Sequence, residues 1–236
     1  MRLFAIKGAI LELIFPTSCF GCQTEGEFLC SACGAALKTT PPSCFVCKRL
    51  VPPSRLVTAG RTCQNCTRKS HIYAFLSPFR YEGVIKELIH GLKYRRITET
   101  DRVLAELTAQ YLQKYEVRVP EGALLIPIPL HPAKKRTRGF NQAELIANRL
   151  AEKLPLKVDI SILQKIQQNK PQIELSGKER RTNVLGVFAV SRPELIQNKT
   201  VIMLDDVKTT GATLEEAARV LKEAGAKRVW AITVAH

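Results

Sequence analysis

Beyond residue 66 the chain contains no cysteine, although it continues to residue 236. Aromatic residues are sparse at 6%, with one tryptophan, so a broad stacking platform for nucleic-acid bases is a weak expectation. No G-x-x-x-x-G-K-[ST] loop is present; the one Gly-Lys pair, Gly177–Lys178, is followed by Glu179, which excludes a P-loop nucleotidase. No apolar run reaches the roughly 20 residues that a membrane-spanning helix needs. The opening MRLFAIKGAILELIF comes nearest, yet Glu12 interrupts it and no small-residue cleavage site follows. Leu3, Ile6, Ile10, Leu13 and Ile14 share one helical stripe, which predicts a short helix over residues 1–16 docked on a cytoplasmic protein. Low-complexity tracts are absent, and the only internal repetition lies in the cysteines.

What is present is a chain of 236 residues, 45% hydrophobic and 24% charged, enough for one substantial core plus a small module. Its net charge of +15 favours polyanionic or phosphorylated partners. A basic surface kept for solubility is the competing account, and composition does not separate the two.

All eight cysteines lie between positions 19 and 66, as the C-x-x-C pairs Cys19/Cys22, Cys30/Cys33, Cys44/Cys47 and Cys63/Cys66. Disulfides are kept reduced in a cytoplasmic chain, so thiolate–metal sites are the better account. Two C-x-x-C pairs complete one tetrahedral Cys₄ zinc site. Fifteen residues separate Cys47 from Cys63 and seven separate Cys22 from Cys30, so sequential pairing yields two sites and leaves one ion or two open. Interleaved pairing, of first with third and second with fourth, also stays open. A redox C-x-x-C normally stands alone, and an iron–sulfur cluster is the remaining rival; structural zinc leads both. With thiolates in every position, the metal is structural rather than catalytic.

The texture changes after the cysteines. Residues 17–72 are rich in cysteine, proline and turns, whereas 73–236 alternate helical and strand patterns. Val84, Ile85, Leu88, Ile89 and Leu92 suit an amphipathic helix, and Val103, Leu104, Leu107 and Leu112 a second, with Asp101 near its start. ALLIPIPL (123–130) reads as a buried strand, NQAELIANRLAEKL (141–154) as a helix, and VFAV (187–190) as a strand. TVIMLDD (200–206) is a buried strand, TLEEAARVLKEAG (213–225) a helix closed by Gly225, and RVWAITVAH (228–236) a final buried strand. Strands alternating with helices predict an α/β domain with a mostly parallel sheet.

The stretch VIMLDDVKTTGAT (201–213) carries the sharpest chemical signal. Its strand ends in Asp205 and Asp206, at the place where open α/β sheets bind ligands. Backbone N–H groups from Lys208 to Ala212, the hydroxyls of Thr209, Thr210 and Thr213, and a helix N-terminus suit one phosphate. Gly211 permits close backbone approach, and adjacent carboxylates accept hydrogen bonds from a vicinal diol. A ribose 5-phosphate meets both demands. An ordinary strand–turn–helix with a threonine cap explains one threonine, but not two acids, three threonines and a glycine together.

This stretch resembles the binding signature of type I phosphoribosyltransferases, which bind 5-phosphoribosyl-1-diphosphate (PRPP). PIPLHPAKKRTRGFNQAELIA (127–147) and NKPQIELSGKERRTNVLGVFAV (169–190) narrow the resemblance to the ComF family, linked to competence and DNA uptake. Its members similarly carry an N-terminal C-x-x-C-rich zinc module. The resemblance spans nearly the whole chain and implies a parallel-sheet type I phosphoribosyltransferase fold with a small double zinc-ribbon-like module. It gives Asp205 and Asp206 the catalytic, diol-binding role, and Val207, Lys208, Thr209, Thr210, Gly211, Ala212 and Thr213 the 5-phosphate. It also implies that the loop after LLIPIPL borders the pyrophosphate, with Arg138, and with it Lys134, Lys135 or Arg136, balancing the charge. Lys170, Gln172, Arg180, Arg181 and Asn183 fall where such enzymes carry a flap, and the same cations suit single-stranded DNA. Mg²⁺ accompanies PRPP, and a DNA-uptake helicase is the implied protein partner. The pattern departs at Lys208, where similar enzymes carry an acid. Phosphoribosyl transfer and a non-catalytic ribose-phosphate pocket in a DNA-binding protein therefore both stay open. Of His71, His90, His131 and His236, only His131 lies near the inferred site, and a packing or loop hydrogen-bond role leads there.

Overall fold

Apolar residues follow one another without alternation in VIML (201–204) and WAITVA (230–235), as in strands buried on both faces. The computed structural model describes residues 16–55, 57–167 and 184–236, and puts both stretches inside a five-stranded sheet. In chain order the first elements are α1 (Ser31–Ala35), β1 (Ile72–Leu76), α2 (Gly83–Tyr94), α3 (Thr100–Lys114), β2 (Leu124–Pro127) and α4 (Pro132–Arg138). There follow α5 (Gln142–Ala151), β3 (Lys157–Val158), β4 (Leu163–Lys165), β5 (Phe188–Val190), β6 (Thr200–Val207), α6 (Ala212–Glu223) and β7 (Arg228–Ala235). The main sheet has the order β1-β7-β6-β2-β3, with every neighbouring pair parallel.

Alternate strand residues build two cores. Leu125, Ile202, Leu204, Trp230 and Ile232 face Leu88, Leu104 and Ile146 of α2, α3 and α5. Ile126, Val201, Met203, Val229 and Ala231 face Leu214, Ala217 and Leu221 of α6. The chain leaves β2 toward β3 on one side and leaves β6 toward β7 on the other. The carboxyl ends of β2 and β6, which are hydrogen-bonded neighbours, thus flank the point where the winding reverses, the usual ligand crevice of an open sheet.

The helices and buried strands fall where the periodicity predicts them. Strand β2 is shorter than 123–130 because Pro127 and Pro129 have no N–H to give the ladder, although the Ile128 amide still donates to Leu204 O at 2.8 Å. VFAV forms β5, but it pairs antiparallel with β4 outside the main sheet. Beside β1, on the edge away from β7, Thr62 N donates to Tyr73 O at 2.8 Å and Phe75 N to Gly60 O at 3.0 Å. The cysteine-rich segment therefore covers that edge. The helix expected over 1–16 lies in residues outside the described part. No helix among the described residues is long and apolar enough to cross a membrane.

Helix α4 ends at Gly139, whose φ of 89° is left-handed and whose N–H donates to Lys135 O at 2.8 Å. A Cβ there would touch nothing, so only the backbone conformation is penalised by a side chain. Gly139→Ala is expected to cost roughly 1–2 kcal/mol in urea unfolding, with an unchanged slope m.

Candidate functional site

Adjacent residues of a strand point to opposite faces, and the two acids at the end of β6 meet different surroundings. Asp206 is buried toward α2 and α5, where Lys93 Nζ lies 2.8 Å from its Oδ1 and Gln142 Nε2 donates to its Oδ2 at 3.1 Å. Burial opposes the charge on Lys93, but Asp206 overcomes that and holds its pKa above the usual value. Removing one partner of such a pair leaves an uncompensated buried charge, at a cost of about 3–5 kcal/mol. Asp205 is half-buried on the other face and accepts a hydrogen bond from the Asp206 amide at 2.9 Å. Burial, reinforced by the Asp206 carboxylate, raises the Asp205 pKa to about 7 despite the opposing charge of Lys93.

After β6 the chain turns through exposed Thr209 and Thr210 to Gly211, which is left-handed at φ 82° and stands at the N-terminus of α6. The N-cap residue itself, Gly211, has no side chain to cap that helix. Thr210 Oγ1 accepts from Ala212 N at 3.3 Å and Gly211 O from Glu215 N at 2.9 Å, so the turn is compact. Lys208 does not extend with the threonines. Its Nζ sits 5.0 Å above the Phe45 ring and 5.2 Å above Phe75. Burial, then Lys48, lowers its pKa.

The β2 side of the crevice is built by the RGFNQ segment. Asn141 Nδ2 donates to Ile128 O at 3.0 Å, while its Oδ1 accepts from Ala143 N at 3.1 Å and caps α5. KKRTR (134–138) forms the body of α4, started by Pro132 and capped by His131, whose Nδ1 accepts from Ala133 N at 3.3 Å. Lys134 and Arg136 are exposed. Lys135 is committed to Glu144 at 2.9 Å, and the Arg138 guanidinium lies 5.7 Å over the Tyr94 ring. A cavity of about 370 Å³ opens between this loop and β4, lined by His131, Lys135, Asn141, Gln164 and Lys165 among others. Burial and Lys134 lower the Lys165 pKa, while Asp205 opposes them. Lys170, Gln172, Arg180, Arg181 and Asn183 lie outside the described residues.

Three groups at the acids went unread in the sequence: Lys93, Gln142 and Lys165. Gln142 closes the RGFNQ motif and follows the cap residue, so its placement beside β6 had a local signal. Lys93 follows the apolar stripe of α2 by one position and is indistinguishable there from a solvated lysine. Lys165 depends on the β4–β5 pairing, which has no local signature.

The thiols converge in sequential order. Cys19, Cys22, Cys30 and Cys33 form one cluster and Cys44, Cys47, Cys63 and Cys66 the other, with the sulfurs of each within 4.8 Å of one another. The interleaved pairing is thereby overturned. Backbone amides support the sulfurs: Gly21 N and Cys30 N donate to Cys19 Sγ at 3.4 Å, and Cys63 N to Cys44 Sγ at 3.5 Å. Burial resists ionisation of Cys19, yet the N–H groups of Cys30, Cys22 and Gly21 bring its pKa down to about 6. Four thiolates in a closed set suit one structural zinc per cluster, with no position left for a substrate.

A family model described as the phosphoribosyl transferase domain matches residues 137–236. Competence protein F of Haemophilus influenzae is 30% identical over 215 residues, spanning 86% of this chain and 89% of that protein. DNA utilization protein YhgH of Salmonella typhi is 28% identical over 232 residues, spanning 93% of this chain and 98% of its own length. Competence protein ComFC of Streptococcus pneumoniae is 25% identical over 211 residues, spanning 88% and 87%.

The raised Asp205 pKa has a stability consequence. The unfolded carboxyl ionises in the ordinary range near pH 4, whereas the folded one ionises near 7, so the folded state binds the extra proton and loses stability as pH rises between the two. Asp205→Asn removes that loss. It is expected to raise the melting temperature by about 5 °C at pH 8, with little change at pH 4, in calorimetric scans.

Proposed function

The chain belongs to the competence protein F (ComF) family and has a phosphoribosyltransferase domain of type I fold, and from that premise we propose that it binds PRPP, or a related ribose 5-phosphate, and acts in DNA uptake. One observation carries this reading: the acid pair and the Thr209–Thr213 turn share one end of one strand, at the reversal point of the sheet. Each half of the site answers a different half of the ligand.

Asp205 and Asp206 accept the ribose hydroxyls, with Lys93 and Gln142 holding Asp206 in one rotamer. Amides of the Thr209–Thr213 turn, with the hydroxyls of Thr209, Thr210 and Thr213, take the 5-phosphate at the N-terminus of α6, whereas the Lys208 amide is committed to Ala235 O at 2.9 Å. Lys134, Arg136 and Arg138 supply the cations nearest the pyrophosphate, whereas Lys135 is already paired. Magnesium bound with the ligand adds positive charge to the diphosphate. Lys208 lies over two aromatic rings rather than beside the acids, so no carboxylate stands at that position to accept a proton. Binding is accordingly the core of the proposal, and transfer to an acceptor is the further step that it leaves open.

A second reading has its own observation. Tyr94 is 66% exposed with Arg138 over its ring and His90 edge to face at 5.2 Å, and Arg96 Nη2 donates to Thr137 O at 3.0 Å, so cations gather around an exposed aromatic ring at the rim of α2 and α4. That combination suits stacking on single-stranded DNA. A helicase that handles the incoming strand is the protein partner consistent with it.

Calorimetric titration with PRPP and Mg²⁺ is expected to give a 1:1 complex that Asp205→Asn with Asp206→Asn weakens about 100-fold. Wild-type protein that binds no PRPP would sink the reading. Pyrophosphate release in a nucleobase screen would establish transfer. For the second reading, Tyr94→Ala is expected to weaken single-strand binding about tenfold, and wild-type affinity to fall steeply with salt; affinity indifferent to both counts against it.

A further inference from the structure

Two phenylalanines hold equivalent places in the thiolate clusters: Phe20 follows Cys19 and Phe45 follows Cys44, the first cysteine of each set. Each ring lies against a glycine of the sheet domain and beneath a cation. At Gly91 in α2, a Cβ would come 2.8 Å from Phe20 Cζ, and the Arg95 guanidinium is 5.9 Å from that ring centre. At Gly211, a Cβ would come 2.7 Å from Phe45 Cζ, and Lys208 Nζ is 5.0 Å from that ring.

The Phe45 contact falls in the turn that separates the acids from α6. Gly211 is left-handed and starts the helix with no side chain of its own; the Thr210 hydroxyl accepts from Ala212 N at 3.3 Å, and the bare Gly211 backbone is covered by what packs beside it. Phe45 is that neighbour, and it is itself backed by Phe75 of β1, edge to face at 5.3 Å. From the other flank, Ser70 Oγ and His71 N donate to the Glu215 carboxylate in the first turn of α6, at 2.6 and 2.7 Å. The second cluster thus grips the turn before Gly211 and the helix after it. Burying Phe45 occupies the space that a Gly211 side chain would need and keeps Lys208 folded back from the threonines.

We propose that Phe45 is a positioning residue for the Thr209–Thr213 turn, so that ordering of the second thiolate cluster and occupation of the turn by a phosphate are thermodynamically coupled. This rests on the reading of that turn as the 5-phosphate site. A ligand that fixes the turn favours the packed Phe45, and the packed Phe45 favours the knuckle geometry of Cys44 and Cys47; by linkage the converse holds with the same factor.

The test uses the full zinc-loaded chain. Phe45→Ala is expected to bind PRPP about tenfold more weakly while elemental analysis still finds two zinc ions per chain, and Phe45→Tyr to bind nearly as the wild type does. In wild type, saturating PRPP is expected to raise the apparent zinc affinity of one cluster, and not of the other, in competition with a chelator. Wild-type affinity in a zinc-replete Phe45→Ala overturns the inference while leaving the site assignment intact. Should Phe45→Ala fail to fold, the wild-type competition decides: zinc affinities that ignore PRPP overturn it. A wild type that binds no PRPP removes the site assignment and this inference together.

Discussion

Two carboxylates in succession at the end of a buried strand cannot share one environment, because the strand sends them to opposite faces. Most of the site is a response to that constraint. Asp206 enters the core between α2 and α5, which is tolerable only because Lys93 and Gln142 meet it there. Among the described residues Asp205 has no side-chain partner, and burial raises its pKa to about 7. The pair therefore divides its labour, one acid fixed in place by Lys93 and Gln142, the other with its pKa raised by burial to about 7.

The cysteine-rich segment solves a different problem. So short a stretch cannot bury enough apolar surface to stand alone, and its two thiol clusters are suited to metal bonds that would stand in for a core. Its aromatic residues are then free to face outward. Phe20 and Phe45 occupy notches that exist only because Gly91 and Gly211 lack side chains. The segment is fitted into the sheet domain rather than strung in front of it.

Local chemistry was legible and distant partnership was not. The helical stripes of α2, α3 and α6, the unalternating strands β6 and β7, and the four C-x-x-C pairs each declare themselves within a few residues. The turn between β6 and α6 did so as well, since acids, threonines and glycine are contiguous. Sequential pairing of the cysteines needed the structure, because spacing alone admits either arrangement. Lys93 and Lys165 needed it more, being drawn to the acids from distant elements by packing that no window of sequence contains. The basic run of α4 illustrates the limit from the other side: four cations lie within five residues, but Lys135 is paired with Glu144 and Arg138 is laid over Tyr94.

The hydrogen bonds from residues 60–62 to β1 have a consequence for the protein in bulk solution. They occupy the outer edge of a sheet whose opposite edge strand, β3, is only two residues long. A strand left open at β1 would offer unpaired amides and carbonyls beside Tyr73 and Phe75 to any other chain, the usual seed of intermolecular pairing. Thr62 directly precedes Cys63, so whatever orders the second cluster also keeps that edge shut. Metal starvation is then expected to show as turbidity and lost solubility.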